Sequence, residues 1–287
     1  MSGEYKDLLN RIQAKYKRLS KGQKRIAEYI LDNYDKVAFM TASNLGKTVG
    51  VSESTVVRFA NALGYVGYPK LQKALQESIK TKLTTVQRLE LSKDLEAGAN
   101  VYRKLMNADV DSIRKAVEDL DPAMLNEIAN AITSAKRVFV LGLRSSSVLA
   151  NYLSFYLSFM MDNVQVVPTG AHDVFDKMVD ISRGDVLIAI TFPRYSNATM
   201  QVVRYAEREG ATVIGVTDSV LSPIAELAAY SLYAKFEMTT FIDSLVAPMS
   251  VLNSLILAVS IEKRSALEEK FNKLESIWGE FNTYSEK

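Results

Sequence analysis

Polar side chains that suit hydrogen bonding to another molecule are concentrated in one short stretch of the chain. They supply hydroxyl, carboxylate and guanidinium groups, on Ser52, Glu53, Ser54, Thr55 and Arg58. Apolar residues recur at helical spacing through the same stretch, at Val56, Phe59, Ala60 and Leu63. This spacing predicts a helix that buries its apolar side and turns its polar start outward.

A second short helix is predicted just before this one. Thr41 or Ser43 can cap it, and Gly50 stands where the helix must end and the chain must turn with positive φ. Ser52 is a suitable cap for the following helix, and Gly64 is a suitable stop. Two helices joined in this way, with a polar start on the second, are the layout of a helix-turn-helix DNA reader. An ordinary helical hairpin is the alternative.

The distribution of charge favours the DNA reader. Residues 1–80 carry 14 Lys and Arg against 7 Asp and Glu, a net charge of +7, whereas residues 81–287 carry 21 against 26, a net charge of −5. Basic residues cluster before the motif, at Lys15, Lys17, Arg18, Lys21, Lys24 and Arg25. We expect them to reach phosphates, although a solvated helix face has the same composition. Lys47 joins residues 52–55 and 58 as a predicted DNA contact.

The chain is long enough for two domains with a linker and a terminal helix. We expect a DNA-binding domain at 1–80, a linker at 81–105, an α/β domain at 106–262 and a C-terminal helix at 263–287. The polar stretch 81–100 is either a hinge or a continuation of the preceding helix. Two amphipathic helices follow within 101–134, the second starting at Asp121-Pro122.

The hydrophobic period changes after residue 137. Five short apolar runs, typical of buried strands, occupy 138–141, 164–167, 186–190, 212–216 and 230–233. Helical segments are predicted between them, near 147–161, 171–180, 197–209 and 222–228. This alternation predicts a doubly wound α/β domain with a five-stranded parallel sheet in the order 2-1-3-4-5.

Anion-binding groups follow the first and third predicted strands. In a sheet of this order a ligand binds where these two strands end side by side. The groups are hydroxyls, arginines and helix N-termini, and the predicted ligand-binding residues are Arg144, Ser145, Ser146, Thr191, Arg194 and Ser196. The serines have an alternative role as plain helix caps. No cofactor is expected, because no Walker or G-x-G-x-x-G pattern is present.

Other classes of site are not indicated by the sequence. The absence of cysteine excludes disulfides and thiolate metal sites, and no metal-ligand spacing occurs. The single histidine, His172, is expected to cap or pack, and Asp173 and Asp176 form no recognisable acid–base pair, so no catalytic residue is predicted. The N-terminus has no signal-peptide pattern and no stretch is apolar enough to span a membrane, so we expect a cytoplasmic protein.

Three segments together resemble the N-terminal domain of RpiR/MurR-type transcriptional regulators. These segments are 19–33, 37–41 and 50–59. The later α/β half resembles the sugar isomerase (SIS) domain that such regulators carry. The resemblance implies a bacterial regulator of sugar catabolism that binds double-stranded operator DNA as a homodimer or homotetramer. It also implies that the SIS domain senses a phosphorylated sugar or sugar acid.

The predicted ligand loops depart from the SIS pattern Ser-x-Ser-Gly-x-Thr. Pro193 removes a hydroxyl and a backbone donor, Arg194 replaces the glycine, and Arg144 replaces the second glycine of the first loop. The arginines either bind an anion directly or fill the pocket, which leaves a changed ligand range or no ligand at all. A phosphosugar isomerase of the SIS fold is the alternative function, and the basic N-terminal lobe argues against it.

The last predicted helix carries an apolar stripe on a charged background. Its members are Leu267, Phe271, Leu274, Ile277, Trp278 and Phe281. A stripe of this width on a terminal helix is typical of packing or dimer contact rather than of a cofactor site.

Overall fold

The computed structural model describes residues 11–12, 14–79, 84–89, 100–167, 173–235 and 242–284. The chain divides into two compact units, Met1–Ala97 and Gly98–Lys287, which are considered separately.

The described part of the first unit is helical. After a 3-10 turn at Tyr16–Arg18, its helices are α1 (Lys21–Val37), α2 (Ala42–Val49), α3 (Glu53–Ala62) and α4 (Tyr68–Ile79). Hydroxyl caps start the first three helices, because Ser20, Thr41 and Ser52 each accept a hydrogen bond from a backbone N–H one turn ahead. The predicted bounds of the two short helices are therefore confirmed, with Thr41 as the cap of α2.

The core of the first unit is formed by the inner faces of these helices. Ile26, Ile30 and Leu45 are fully buried with Phe59. Helix α4 closes this core, because the Tyr68 hydroxyl donates to the Met40 carbonyl oxygen at 2.8 Å. Burial raises the pKa of Tyr68, so the phenol keeps its proton and this bond across the physiological range.

The second unit begins with two helices and continues as an alternating α/β structure. The helices are α5 (Val101–Asp119), α6 (Pro122–Thr133), α7 (Ser146–Leu157), α8 (Asp173–Met178), α9 (Asn197–Arg208), α10 (Val246–Glu262) and α11 (Arg264–Glu280). The strands are β1 (Val138–Gly142), β2 (Val164–Val166), β3 (Val186–Ile190), β4 (Thr212–Thr217) and β5 (Tyr230–Tyr233). All four strand pairs are parallel and the order is β2-β1-β3-β4-β5, as predicted.

Both faces of the sheet are covered by helices. On one face, Val140 and Ile188 pack with residues of α6, α7 and α10. On the other, Phe139 and Leu187 pack with residues of α8 and α9. Strands β1 and β3 are buried at every position, which explains why their sequences read as continuous apolar runs.

Two details of the predicted organisation differ from the structure. The segment 222–228 forms successive turns rather than a helix, since the Ala225 and Leu227 amides bond back only three residues. Helix α5 begins at Val101, so the last five residues of the stretch 81–105 are helical.

Within the described residues, no single helix is long and apolar enough to cross a membrane. Helices α10 and α11 meet that test only as a pair, and the chain bends by 98° between them.

An ion pair between half-buried Arg137 and buried Asp185 holds the amino ends of β1 and β3 together. Arg137 donates from Nη2 and Nε to the two Asp185 oxygens at 2.7 and 3.1 Å, and Asp185 also accepts from the Ser182 backbone N–H. Burial alone would raise the pKa of Asp185, but Arg137 and the Ser182 amide outweigh it and hold that pKa below its ordinary value. The pair therefore stabilises the unit at neutral pH.

Replacement of Asp185 with Asn is expected to lower the free energy of unfolding of the second unit by about 2 kcal/mol, the range for a lost hydrogen bond to a charged group. Because the folded-state pKa is depressed, the contribution of Asp185 is complete above the unfolded pKa and disappears as pH falls through the folded pKa. Urea unfolding followed by fluorescence of Trp278, the single tryptophan, measures this unit. The exposed Asp111 of the Arg114 pair provides the control, since Asp111→Asn should change stability by less than about 1 kcal/mol. Equal effects of the two substitutions would contradict the assignment.

Candidate nucleic-acid interface and anion site

The turn between α2 and α3 depends on two glycines. Gly50 has φ of 68° and ends α2 in the left-handed conformation. At Gly46 the backbone of the turn comes so close that a Cβ would lie 2.8 Å from the Val51 carbonyl oxygen. The Val51 amide donates to the Gly46 carbonyl at 2.8 Å, which fixes the angle at which α3 leaves the turn.

The polar start of α3 forms one connected group of side chains. The Ser52 hydroxyl lies 2.9 Å from both the Ser54 and Thr55 hydroxyls, and Arg58 Nη2 donates to the Thr55 hydroxyl at 3.3 Å. Glu53, Ser54 and Arg58 are exposed, while Val56 and its apolar partners on the opposite side are buried. The structure thus brings five of the six predicted DNA contacts onto one surface, and Lys47 is exposed on α2.

The basic cluster before the motif is divided between two roles. Lys15 Nζ donates to the Ala62 carbonyl at 2.8 Å, at the C-terminal end of α3, and Arg25 Nη2 donates to the Gly50 carbonyl at 2.9 Å. In this structure Lys15 and Arg25 therefore bond to backbone carbonyls of the helix-turn-helix, although the whole cluster was expected to reach phosphates. Lys17, Arg18 and Lys21 are exposed.

In the second unit, the loop after β1 depends on Gly142. A Cβ at Gly142 would lie 2.3 Å from the Ser146 carbonyl oxygen, so the first turn of α7 rests directly on the strand end. Arg144 has φ of 57°, a conformation that favours glycine, and the Ser147 hydroxyl donates to its carbonyl at 2.7 Å. Arg144 and Ser145 are exposed and Ser146 is buried. The Ser145 side chain does not cap α7.

The loop after β3 repeats this conformation. Arg194 has φ of 67° and is exposed, and Thr191 is buried. Ser196 caps α9, since its hydroxyl accepts from the Thr199 amide at 3.4 Å. The plain capping role considered for the serines thus holds for Ser196. Because Gly142 and Ile190 pair across β1 and β3, the two loops leave the sheet side by side.

The end of β4 contributes a pair that the sequence prediction missed. The Tyr195 hydroxyl donates to Asp218 Oδ1 at 2.7 Å, and the Thr217 hydroxyl donates to the same oxygen at 3.2 Å. Burial, followed by the charge of Asp218, raises the pKa of Tyr195, so the phenol remains a proton donor. Applying the strand-end rule to β4 as well as to β1 and β3 would have identified Asp218.

Of the remaining residues considered from the sequence, only Asp176 has a side chain that the structure describes. His172 and the side chain of Asp173 lie outside the described residues, and Asp176 is exposed on α8. In the described part of the chain, no group of three or more His, Cys, Asp or Glu residues is placed to hold a metal ion.

Two family models match the chain in the order that the two units have. Residues 6–82 match the helix-turn-helix domain of the rpiR family, and residues 131–258 match the SIS domain. The first match contains α1 to α4, and the second runs from the end of α6 into α10.

The chain is similar to named transcriptional regulators and to solved structures with a similar fold. An HTH-type transcriptional regulator of Haemophilus influenzae is 28% identical over 79% of this chain and 79% of its own length. The HTH-type transcriptional regulator HexR of Pseudomonas aeruginosa is 26% identical over 90% of both chains. Among solved structures, NanR of Vibrio vulnificus, complexed with ManNAc-6P, has a TM-score of 0.56 and 20% identity over 94% of this chain and 98% of that chain. The sugar isomerase domain of an RpiR transcription factor from Sphaerobacter thermophilus has a TM-score of 0.59 and 20% identity over 62% of this chain and 99% of that domain.

The substitution Gly46→Ala is expected to destabilise the first unit, because its methyl group meets a backbone carbonyl that cannot move without opening the turn. Gly22→Ala is the matched comparison, since its Cβ meets only the side-chain methyl groups of Val51 and Thr55, at 3.3 and 3.4 Å. Hydrogen exchange of residues 42–62, read by mass spectrometry, should rise more in Gly46→Ala than in Gly22→Ala. The reverse order would show that the close contact at Gly46 does not fix the turn.

Proposed function

This chain belongs to the rpiR family of helix-turn-helix transcriptional regulators, and we propose that its SIS domain senses a phosphorylated sugar or related anionic metabolite and so controls DNA binding. The observation that carries the DNA-binding part of the proposal is the exposed polar start of α3 on a unit whose sequence has a net charge of +7 over residues 1–80. A polar, exposed helix start is the part of a helix-turn-helix domain that enters the major groove.

The proposed DNA contacts divide into base and phosphate readers. Glu53 and Thr55 lie in the first turn of α3, where base edges are reached, and Ser52 and Ser54 extend the same hydroxyl surface. Arg58 contacts a base or a phosphate one turn further along α3, and exposed Lys47 contacts the sugar-phosphate backbone of the DNA. Two copies are needed to match the two halves of a palindromic operator, so the active species is a homodimer or a pair of dimers.

The proposed effector site is the pair of loops after β1 and β3. Arg144 and Arg194 supply the charge, and Ser145, Ser146, Thr191 and Ser196 line the rest. Two exposed guanidiniums on adjacent strand ends suit a phosphate or carboxylate. NanR, which has a similar fold, was solved with a sugar phosphate bound. In this proposal residues 1–80 form the DNA-binding domain and residues 106–262 form the effector-binding domain, and the protein acts in the cytoplasm.

We propose binding without turnover. An aldose–ketose isomerase needs a base placed to move a proton between adjacent carbons. The carboxylate found at the strand ends, Asp218, is already occupied by two hydroxyl donors. Relatives over most of the chain are named as transcriptional regulators. Interconversion of aldose and ketose phosphates at ordinary enzyme rates would overturn this part of the proposal.

For the DNA site, Arg58→Ala is expected to weaken duplex binding by about 1–3 kcal/mol, the usual loss for an arginine contact. Fluorescence anisotropy with a labelled operator fragment, repeated over a series of salt concentrations, measures both affinity and its salt dependence. Lys177→Ala removes the same charge from an exposed position on α8 in the other unit and should leave DNA affinity unchanged. DNA affinity that does not respond to salt, or equal losses in both variants, would contradict the site.

For the effector site, Arg194→Lys and Arg194→Ala should both lower the affinity for the effector by about 1–3 kcal/mol. Lys keeps the charge but loses the bidentate hydrogen bonds, and Ala loses both. Arg194→Gly should lower affinity equally and leave the melting midpoint of the free protein unchanged or higher, because glycine tolerates the left-handed backbone. The probe is the sugar phosphate giving the largest shift in a thermal-shift screen. The control is Arg183→Ala, because Arg183 is exposed and lies before the amino end of β3, at the opposite end of the strands. Equal affinity in all variants would remove Arg194 from the site.

A further inference from the structure

The loops at the carboxyl ends of the central strands carry charges of opposite sign. The loop after β1 and the loop after β3 each hold one charged residue, Arg144 and Arg194. The loop after β4, residues 218–229, holds Asp218 and Glu226 and no Lys or Arg. Strand β3 lies between β1 and β4 in the sheet. The proposed effector site therefore has a basic side at β1 and β3 and is bordered by an acidic loop at β4.

Asp218 is held in one orientation by two hydroxyl groups. The Tyr195 hydroxyl donates to Oδ1 at 2.7 Å, and the Thr217 hydroxyl donates to the same oxygen at 3.2 Å. Thr217 is fully buried, whereas Asp218 is half-buried. Among the described residues, no donor bonds to the second carboxylate oxygen, Oδ2. The two hydroxyls thus fix the carboxylate and leave one oxygen as an acceptor for a ligand donor.

Tyr195 joins the basic loop after β3 to the acidic loop after β4. It follows Arg194 directly in the chain, so one loop carries both the guanidinium and the phenol that holds Asp218. The two loops start at the same level, because the Thr191 amide donates to the Val216 carbonyl at 3.0 Å. Neighbouring strands lie about 4.8 Å apart, so the loop of Asp218 starts about 5 Å from that of Arg194 and about 10 Å from that of Arg144. A single monosaccharide phosphate can span these loops.

The two sides of the site distinguish between the two effector classes considered so far. A sugar phosphate has an anion at one end and hydroxyl groups along the rest, whereas a phosphorylated sugar acid has an anion at both ends. Arginines suit the phosphate of either class. Beside Asp218 a hydroxyl group can donate to Oδ2, but a carboxylate meets a like charge. The exposed side chains that follow Asp218 in the loop, Val220 and Leu221, are apolar and offer a carboxylate no donor.

We propose that Asp218 is the specificity determinant of the effector site, accepting hydrogen bonds from the hydroxyl groups of a sugar phosphate and repelling the carboxylate of a phosphorylated sugar acid. Asp218 contacts the ligand, whereas Tyr195 acts through Asp218 as a positioning residue. This inference rests on the proposed effector site and narrows its ligand to phosphates whose other end carries no negative charge.

Titration calorimetry of the full-length protein with matched sets of ligands tests the proposal. Each set contains an aldose phosphate, the alditol phosphate and the aldonic acid phosphate of one configuration, for example glucose 6-phosphate, glucitol 6-phosphate and 6-phosphogluconate. The last two are open chains that differ only in a hydroxymethyl group against a carboxylate. In the set that binds most tightly, the aldose or alditol phosphate should bind about tenfold or more tighter than the acid.

Two variants separate the charge of Asp218 from its orientation. Asp218→Asn keeps an oxygen for the two hydroxyl donors, so it should fold, which the melting midpoint checks. It should raise the affinity for the acid and lower that for the preferred phosphate, so that the preference disappears. Tyr195→Phe keeps the charge but loosens the carboxylate, so it should weaken the preferred phosphate severalfold and still exclude the acid. Glu207→Gln removes the same charge from an exposed position near the C-terminal end of α9 and should change neither affinity.

The results that overturn the proposal differ from those that overturn the effector site. The proposal is wrong if the acid binds the wild type as tightly as its uncharged partners, or if Asp218→Asn leaves the preference unchanged. It is also wrong if no compound of any set binds. In that case, inorganic phosphate tests the site itself. Phosphate binding that Arg194→Ala abolishes would leave the anion site standing, whereas no phosphate binding would contradict the proposed function.

Discussion

Both candidate sites depend on a contact between two stretches of backbone that only glycine permits. At Gly46, a Cβ would meet the Val51 carbonyl at 2.8 Å, and at Gly142 a Cβ would meet the Ser146 carbonyl at 2.3 Å. In each case a glycine lets the chain come into direct backbone contact where a functional helix begins, α3 in one unit and α7 in the other. The absent side chain sets the direction of the helix, and the direction places the polar groups of its first turn.

The two units use different means to present polar groups once the helices are placed. In the first unit, hydrophobic periodicity alone is sufficient, because burial of Val56 and Phe59 on one side of α3 leaves Glu53 and Arg58 on the other. In the second unit, strands buried on both faces leave only their ends for polar residues. Arg144 and Arg194 occupy those ends in left-handed conformations that non-glycine residues adopt at a cost. That cost is consistent with a role in binding rather than in folding.

The sequence predicts the parts of this structure that arise from local spacing. The caps at Thr41 and Ser52, the stop at Gly50, the buried side of α3 and the positions of the strands follow from residue type and period. The strand order follows from the doubly wound fold that such an alternation predicts, and not from local spacing. Contacts between distant residues were beyond its reach. Lys15 bonds to the Ala62 carbonyl and Tyr195 to Asp218. The place of Asp218 at the end of β4 was open to prediction, but the bond to Tyr195 and the bond of Lys15 are not marked by any local pattern. The segment 222–228 was predicted as a helix because its apolar residues recur at helical spacing, but that spacing does not distinguish a helix from the successive turns that the segment forms.

The separation of roles around α3 has a consequence for how such a protein diversifies. Exposed Glu53, Ser54 and Arg58 contact one another or solvent, whereas the fold of the unit rests on the opposite side of the helix and on the glycine turn. Substitutions at the three exposed positions therefore alter the chemical surface without creating a cavity or a strained turn. If these positions read DNA as proposed, a new recognition preference can arise one residue at a time while the protein remains folded at every step.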